Sequence, residues 1–213
     1  MSVFRQLLIA NAMNGGGNPL AIPLTLTAAA ADSTVTLNAY GPSTQADLSG
    51  LQYRVGISGD WLPYLLGSTL TLAAIGDAVQ FRNTKDTLST GTAAKYVQFA
   101  MTGSIAASGN LMSMLNGRAD CPSYCFVRLF KDCVSLVQAP SLPSSTLGIY
   151  SYSTLFGGCS ALDRIEVNFT EWGLWTYSWV SGVAAAGTFV KPAALPEEIG
   201  NNRIPTGWTV VNK

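Results

Sequence analysis

The sequence predicts a mixed α+β fold that is mainly β: an antiparallel β-sandwich-like domain followed by a short stack of repeats. Two patterns carry this reading. Between Pro19 and about Ser108, apolar residues recur at every second position, which is the period of a strand with one buried face. Further on, the 13 residues from Tyr124 to Leu136 return as Tyr150 to Leu162, 26 residues later. Self-similarity at a fixed period marks units that bury their apolar faces against one another. The bulk composition limits what such a chain does. Of its 213 residues 48% are hydrophobic and only 11% charged, against roughly 25% charged in an average soluble domain. Twelve basic and 12 acidic residues cancel to a net charge of zero, which favours association over colloidal repulsion. Lys and Arg are scattered singly, so no nucleic-acid footprint is present.

Residues 1–18 form the first segment. Phe4, Leu7, Leu8 and Ala12 recur at helical spacing, and Asn14-Gly-Gly-Gly-Asn-Pro19 then stops the pattern and makes a flexible tether. So short an apolar helix cannot bury itself unaided. It is expected to pack on the following domain or to anchor the chain to a partner. The segment resembles a secretion signal in its single Arg5 and its Ala10-Asn-Ala12 end. Its uninterrupted apolar run spans only Leu7 to Ala10, short of the usual ~7–15 residues. No stretch approaches the roughly 18 apolar residues of a membrane span.

Residues 19–108 read as the sandwich. Val35 and Leu37 alternate with Thr34, Thr36 and Asn38; Leu51, Tyr53, Val55 and Ile57 alternate with Gln52, Arg54 and Gly56. Leu70 with Leu72, Val79 with Phe81, and Val97 with Phe99 repeat the motif. Gly41-Pro-Ser43, Ser58-Gly-Asp60 and Gly76-Asp77 supply turn chemistry between them. Short strands at this spacing fold as an antiparallel sandwich or barrel-like domain. Trp61 and Tyr64 follow one of these turns, as edge packing or as a sugar-stacking platform.

Residues 109–213 read as repeats with a C-terminal cap. Each copy is an apolar turn or helix, then Cys-x-x-Leu, then a short extended piece. Leu129, Phe130, Cys133 and Leu136 in the first copy match Leu155, Phe156, Cys159 and Leu162 in the second and are the expected repeat core. A degenerate third copy, Tyr177 to Val183, has lost its cysteine, as terminal copies do. Gly200 to Lys213, with Ile204 to Asn212 within it, reads as a closing edge strand. Trp172 and Trp175 lie outside the register and are either a ligand patch or a plug for the end of the core.

The chain holds no histidine, which removes Ser-His-Asp and Cys-His catalysis and every His-ligated metal. Cys121 and Cys125 are closely spaced, but no second close pair completes a zinc set. Asp132, Asp163, Glu166 and Glu171 could supply a carboxylate pair, yet nothing places two of them across a cleft. No catalytic residue, cofactor or metal is expected.

Phe130-Lys-Asp-Cys-Val-Ser-Leu-Val-Gln-Ala-Pro-Ser-Leu-Pro-Ser-Ser-Thr-Leu-Gly-Ile-Tyr150, continued by Phe156-Gly-Gly-Cys-Ser-Ala-Leu162, resembles the unit of the BspA-like leucine-rich repeats, F-x-G-C-x-S-L-x-x-A-P-x-L-P-x-x-T-L-x-x-x-x-Y. Leu51 to Val55, Gly76 to Asn83 and Phe99 to Asn110 are similar to the domain that often precedes such repeats. The resemblance covers about residues 24–213. It implies a short BspA-like leucine-rich repeat stack behind the sandwich, in a protein of the kind found on gut anaerobes and in their bacteriophages. With two repeats and no convincing signal, a non-enzymatic virion protein is expected, such as a head fibre, capsid decoration or tail-associated protein. Its expected partners are other virion proteins through the N-terminus, further copies of itself as a homotrimer, and a host-surface glycan or protein. A bacterial cell-surface adhesin or a carbohydrate-binding repeat protein is the alternative.

If Leu136 and Leu162 are core positions, Leu136→Ala or Leu162→Ala lowers the unfolding free energy by about 2–5 kcal/mol. Denaturant unfolding checks this, and a loss near zero means that the register is misread.

Overall fold

The computed structural model describes residues 22–41, 48–88 and 92–213. The expected anchor with Phe4, Leu7, Leu8 and Ala12 lies outside the described residues. Strands dominate; helix among the described residues is limited to short 3-10 turns, Leu111–Leu115, Leu174–Thr176 and a single residue at Leu48.

Strands β1 (Leu24–Ala28), β2 (Ser33–Tyr40), β3 (Leu51–Val55), β4 (Leu62–Pro63), β5 (Thr69–Leu72), β6 (Ala78–Asn83), β7 (Tyr96–Thr102) and β8 (Ile105–Ser108) build the sandwich. One sheet runs β8-β1-β6-β3-β4 and the other β5-β2-β7, with antiparallel pairing throughout. The alternation works as the sequence predicts: Val35 and Leu37 of β2 face Leu24, Leu26, Val79 and Phe81 in a common core, while Thr34, Thr36 and Asn38 face out. β3 ends one pair early, at Val55, which is itself exposed and not inward-facing as the alternation predicts. Gly56 turns away at φ 75° and leaves Ile57 exposed.

β7 and β8 belong to different sheets, and the turn between them joins the two layers. Gly103 makes that turn at φ 77°, with Ser33 packed so closely that a Cβ would collide with it. Only glycine adopts this conformation without strain or clash.

The C-terminal half is wound onto this pair. β10 (Leu136–Gln138), preceded by β9 (Asp120–Cys121), pairs in parallel with β8, Leu136 opposite Ile105. β11 (Thr146–Leu147) pairs with β9. β12 (Arg164–Glu166) lies beside β10 through Asp163 N–H to Val137 O (3.1 Å) and Ala139 N–H to Arg164 O (3.0 Å). β13 (Thr188–Lys191) and β14 (Thr209–Asn212) continue the ladder in parallel. The six-stranded sheet of the sandwich therefore includes β10, the first strand of the coiled half.

Between the ladders, the apolar Tyr-x-aromatic segments form a ribbon of overlapping turns and not a helix. From Cys125 to Cys133 every odd-numbered N–H donates three residues back, as Cys125 to Pro122 O (3.2 Å) and Leu129 to Phe126 O (3.2 Å). Even-numbered N–H groups donate to the next coil instead: Tyr124 to Ile149 O, Phe126 to Ser151 O, Arg128 to Ser153 O and Phe130 to Leu155 O, each at 3.0 Å. The next coil repeats the scheme, Tyr152 to Trp175 O (2.9 Å) and Phe156 to Trp179 O (2.8 Å). This pattern flips every second turn, which sets Tyr124, Arg128 and Asp132, then Tyr150, Thr154 and Gly158, at positive φ. Each L-residue held there costs roughly 1–2 kcal/mol, and the coil-to-coil hydrogen bonds hold it in place.

Thr154, β-branched at φ 53°, is the most strained of these positions, and Gly158 has no room for a Cβ beside Asp132. Thr154→Gly should therefore raise the unfolding free energy by up to about 1 kcal/mol, and Gly158→Ala should lower it by more than about 2 kcal/mol. Urea titration of the two variants reads both signs, and the same sign in both would refute the turn ribbon.

Candidate interaction surfaces

The interior of the coils is built from side chains at the repeat positions. Leu129, Phe130, Cys133, Leu136, Leu155, Phe156, Cys159 and Leu162 are all buried. The aromatic members form a file. Tyr64, Phe81, Phe99, Phe130, Phe156 and Trp179 follow one another at centroid separations of 5.4, 5.3, 5.2, 5.7 and 6.2 Å. Each contact is worth about 0.5–1.5 kcal/mol beyond the buried area. The file crosses from the sandwich into the last coil, so one core serves both halves.

The repeat cysteines have a backbone role. Cys133 Sγ donates to Phe99 O (3.1 Å) and Cys159 Sγ to Phe130 O (2.9 Å), each reaching the preceding layer. Burial pushes the Cys133 thiol well up and the Cys159 thiol up to about 12, so both stay protonated and keep donating. Cys121 and Cys125 are also buried and unbridged; Cys121 Sγ lies 3.4 Å from Tyr152 Oη and 3.5 Å from Met112 Sδ. Among the described residues no three His, Cys, Asp or Glu side chains come together as a metal site. Of the carboxylates, Asp132 pairs with Lys131, and Glu166 lies 3.0 Å from Lys213.

The tryptophans close the last coil. Trp172 packs against Phe169, Trp179 and Phe189 and donates its indole N–H to Pro196 O (2.8 Å). Trp179 donates to Arg203 O (2.8 Å) and Trp208 to Ala184 O (2.7 Å). Trp175 folds over Gly173, and its indole nitrogen is buried with no partner among the described residues. Trp172 thus extends the core.

Open aromatic surface lies elsewhere. Tyr124, Tyr150 and Tyr177 form a second, outer file with centroids 5.4 and 6.1 Å apart. Tyr177 itself, and Ile149 and Leu174, are more than half exposed. Tyr124 and Tyr150 head the two repeats, and their positive φ sets them apart from the core ring positions. The sequence marks both as recurring residues, but the turn geometry that places them outside carries no sequence signal.

No helix among the described residues is long and apolar enough to cross a membrane. Compared with known proteins, the chain matches no family model, no curated protein and no solved structure.

The thiols generate a pH dependence. Cys159 binds its proton in the folded state up to about pH 12, whereas an unfolded thiol releases it near 8.5. Stability from this group is complete below about pH 8.5 and falls by about 1.4 kcal/mol per pH unit above it, until the folded thiol itself titrates. Denaturant titrations at pH 8, 9 and 10 should show the fall, and Cys159→Ser should reduce its slope. An unchanged slope would mean that the thiol is not held protonated by burial.

Proposed function

We propose that this chain is a non-enzymatic structural protein of a bacteriophage particle, a head fibre, capsid decoration or tail-associated protein. Its N-terminal segment attaches it to capsid or tail proteins, and its coiled half faces outward for assembly or host-surface contact. The observation that carries the reading is the unbroken core, which makes the sandwich and the coils one rigid support. Three features of the sequence add to it. The repeat pattern resembles the BspA-like unit; charge is scarce and sums to zero; and an apolar peptide on a glycine tether precedes the sandwich. A closed homo-oligomer, a trimer, suits such a projection.

The outer tyrosine file supports a second reading, a bacterial cell-surface adhesin or carbohydrate-binding repeat protein. Aromatic surfaces serve as anchors in interfaces and sugar sites alike. The state of the N-terminus separates the two readings, since an exported adhesin loses residues near Ala12 and a virion subunit keeps them.

Deleting residues 1–13 should leave thermal unfolding unchanged and abolish incorporation into particles, as read by mass spectrometry of purified virions. Normal incorporation of the truncated chain would remove the anchor from the proposal. Recovery of the native chain from the cell envelope, trimmed near Ala12, would replace the proposal with the adhesin.

A further inference from the structure

The outer face of the six-stranded sheet carries two arginines around one tryptophan. In the β3–β6 pair, Gln52 lies opposite Arg82 and Arg54 opposite Gln80, so all four side chains share a face. Trp61, just before β4, covers them: the guanidinium carbon of Arg54 is 4.7 Å and that of Arg82 is 4.3 Å from its ring centroid. The two cations are therefore within about 9 Å of each other, the two ring distances laid end to end.

Their hydrogen bonds leave a specific part of each group unspent. Arg54 Nε donates to Gln80 Oε1 (2.7 Å) and Arg82 Nε to Gln52 Oε1 (2.8 Å). Gln80 is itself oriented by donating to Thr25 Oγ1 (2.9 Å). Beyond these, among the described residues Arg54 Nη1 reaches only Gly59 O, at 3.5 Å, and the Nη groups of Arg82 have no acceptor. No carboxylate among the described residues forms an ion pair with either arginine; neighbouring Asp60 is exposed. Burial, and then the charge of Arg54, hold the Arg82 guanidinium below its ordinary pKa. Two like charges are thus fixed side by side, and no carboxylate among the described residues pairs with them.

We propose that Arg54, Arg82 and Trp61 form a binding site for an oxyanion carried on a sugar, a carboxylate, sulfate or phosphate group of an acidic glycan. The side-chain glutamines hold the Nε of each guanidinium and leave the Nη groups for an oxyanion, which guanidinium forks match. Ring stacking holds both planes in place before the ligand arrives, which reduces the entropy lost on binding. The Trp61 indole N–H, without a protein acceptor among the described residues, is a further donor for a sugar hydroxyl. Two cations on a chain of zero net charge suit a single anionic group better than the run of phosphates on a nucleic acid. The site lies on the sandwich and is independent of the virion reading.

The test is titration of the full chain, at low salt, with inorganic phosphate, inorganic sulfate and glucuronate in turn, followed by NMR of the arginine and indole N–H groups. Saturable binding of at least one probe at millimolar concentration is expected, and the probe that binds most tightly identifies the group. Arg54→Gln and Arg82→Gln should each weaken it at least tenfold. Arg82→Lys, which keeps the charge but not the fork, should weaken it as well, with thermal unfolding unchanged in all three. Binding that survives Arg82→Lys undiminished would reduce the site to diffuse charge and overturn the proposal. No saturation by any probe, or equal binding by the glutamine variants, would overturn it too.

Discussion

Everything after β8 depends on the corner where β7 passes into β8. β7 offers the Phe99 N–H to Leu129 O (2.7 Å), and β8 pairs with β10. Gln98 Nε2 adds a bond to Lys131 O (2.6 Å), and Ser135 Oγ one to Met101 O (3.4 Å). The first coil thus meets an edge whose donors and acceptors already have the right spacing. Each coil then presents the same edge to its successor. A turn ribbon with flipped peptides is unstable alone, since its positive φ values are unfavourable for L-residues. It persists because alternate N–H groups find carbonyls in the next layer, and a buried N–H left without one would be more costly still.

Side chains reinforce the same stacking. The aromatic file places a ring beneath a ring at every layer, and the repeat cysteines bond to the carbonyl of the layer below. Phe130 serves in both: its ring stacks between Phe99 and Phe156, and its carbonyl accepts from Cys159. The stack must also end. Gly182 follows Trp179 at the spacing by which Cys159 follows Phe156, so the third coil has no thiol to offer. Indole N–H donors take over, Trp172, Trp179 and Trp208 each binding a backbone carbonyl across the last coil.

Because backbone and core satisfy themselves layer by layer, few charges are required and few are present. Exposed pairs such as Arg203 with Glu198 and Lys213 with Glu166 sit at the C-terminal end, where they contribute little to stability. Chemistry available to partners is concentrated in two places, the outer tyrosine file of the coils and the arginine pair on the sandwich. The first is apolar and laid out by the repeat; the second is cationic and laid out by strand register.

The sequence by itself determined the mainly-β character, the sandwich strands with strong alternation, and the 26-residue equivalence of the two copies. These follow from local periodicity, which any chain carries in its residue order. Tertiary structure decided the rest. β8, Ile-Ala-Ala-Ser, has small side chains and little pattern, so its place between β1 and β10 is set by its neighbours. A segment such as Tyr124 to Cys133 suits a turn or a helix equally in sequence, and only the carbonyls of adjacent layers select the alternating turn ribbon. Trp172 became core because Phe169, Trp179 and Phe189 surround it. Arg54, Trp61 and Arg82 carry no motif; pairing between β3 and β6 brings the two arginines onto one face, and β4 brings the indole to them. Sites of this kind arise from strand register across long sequence separations, which a one-dimensional pattern does not encode.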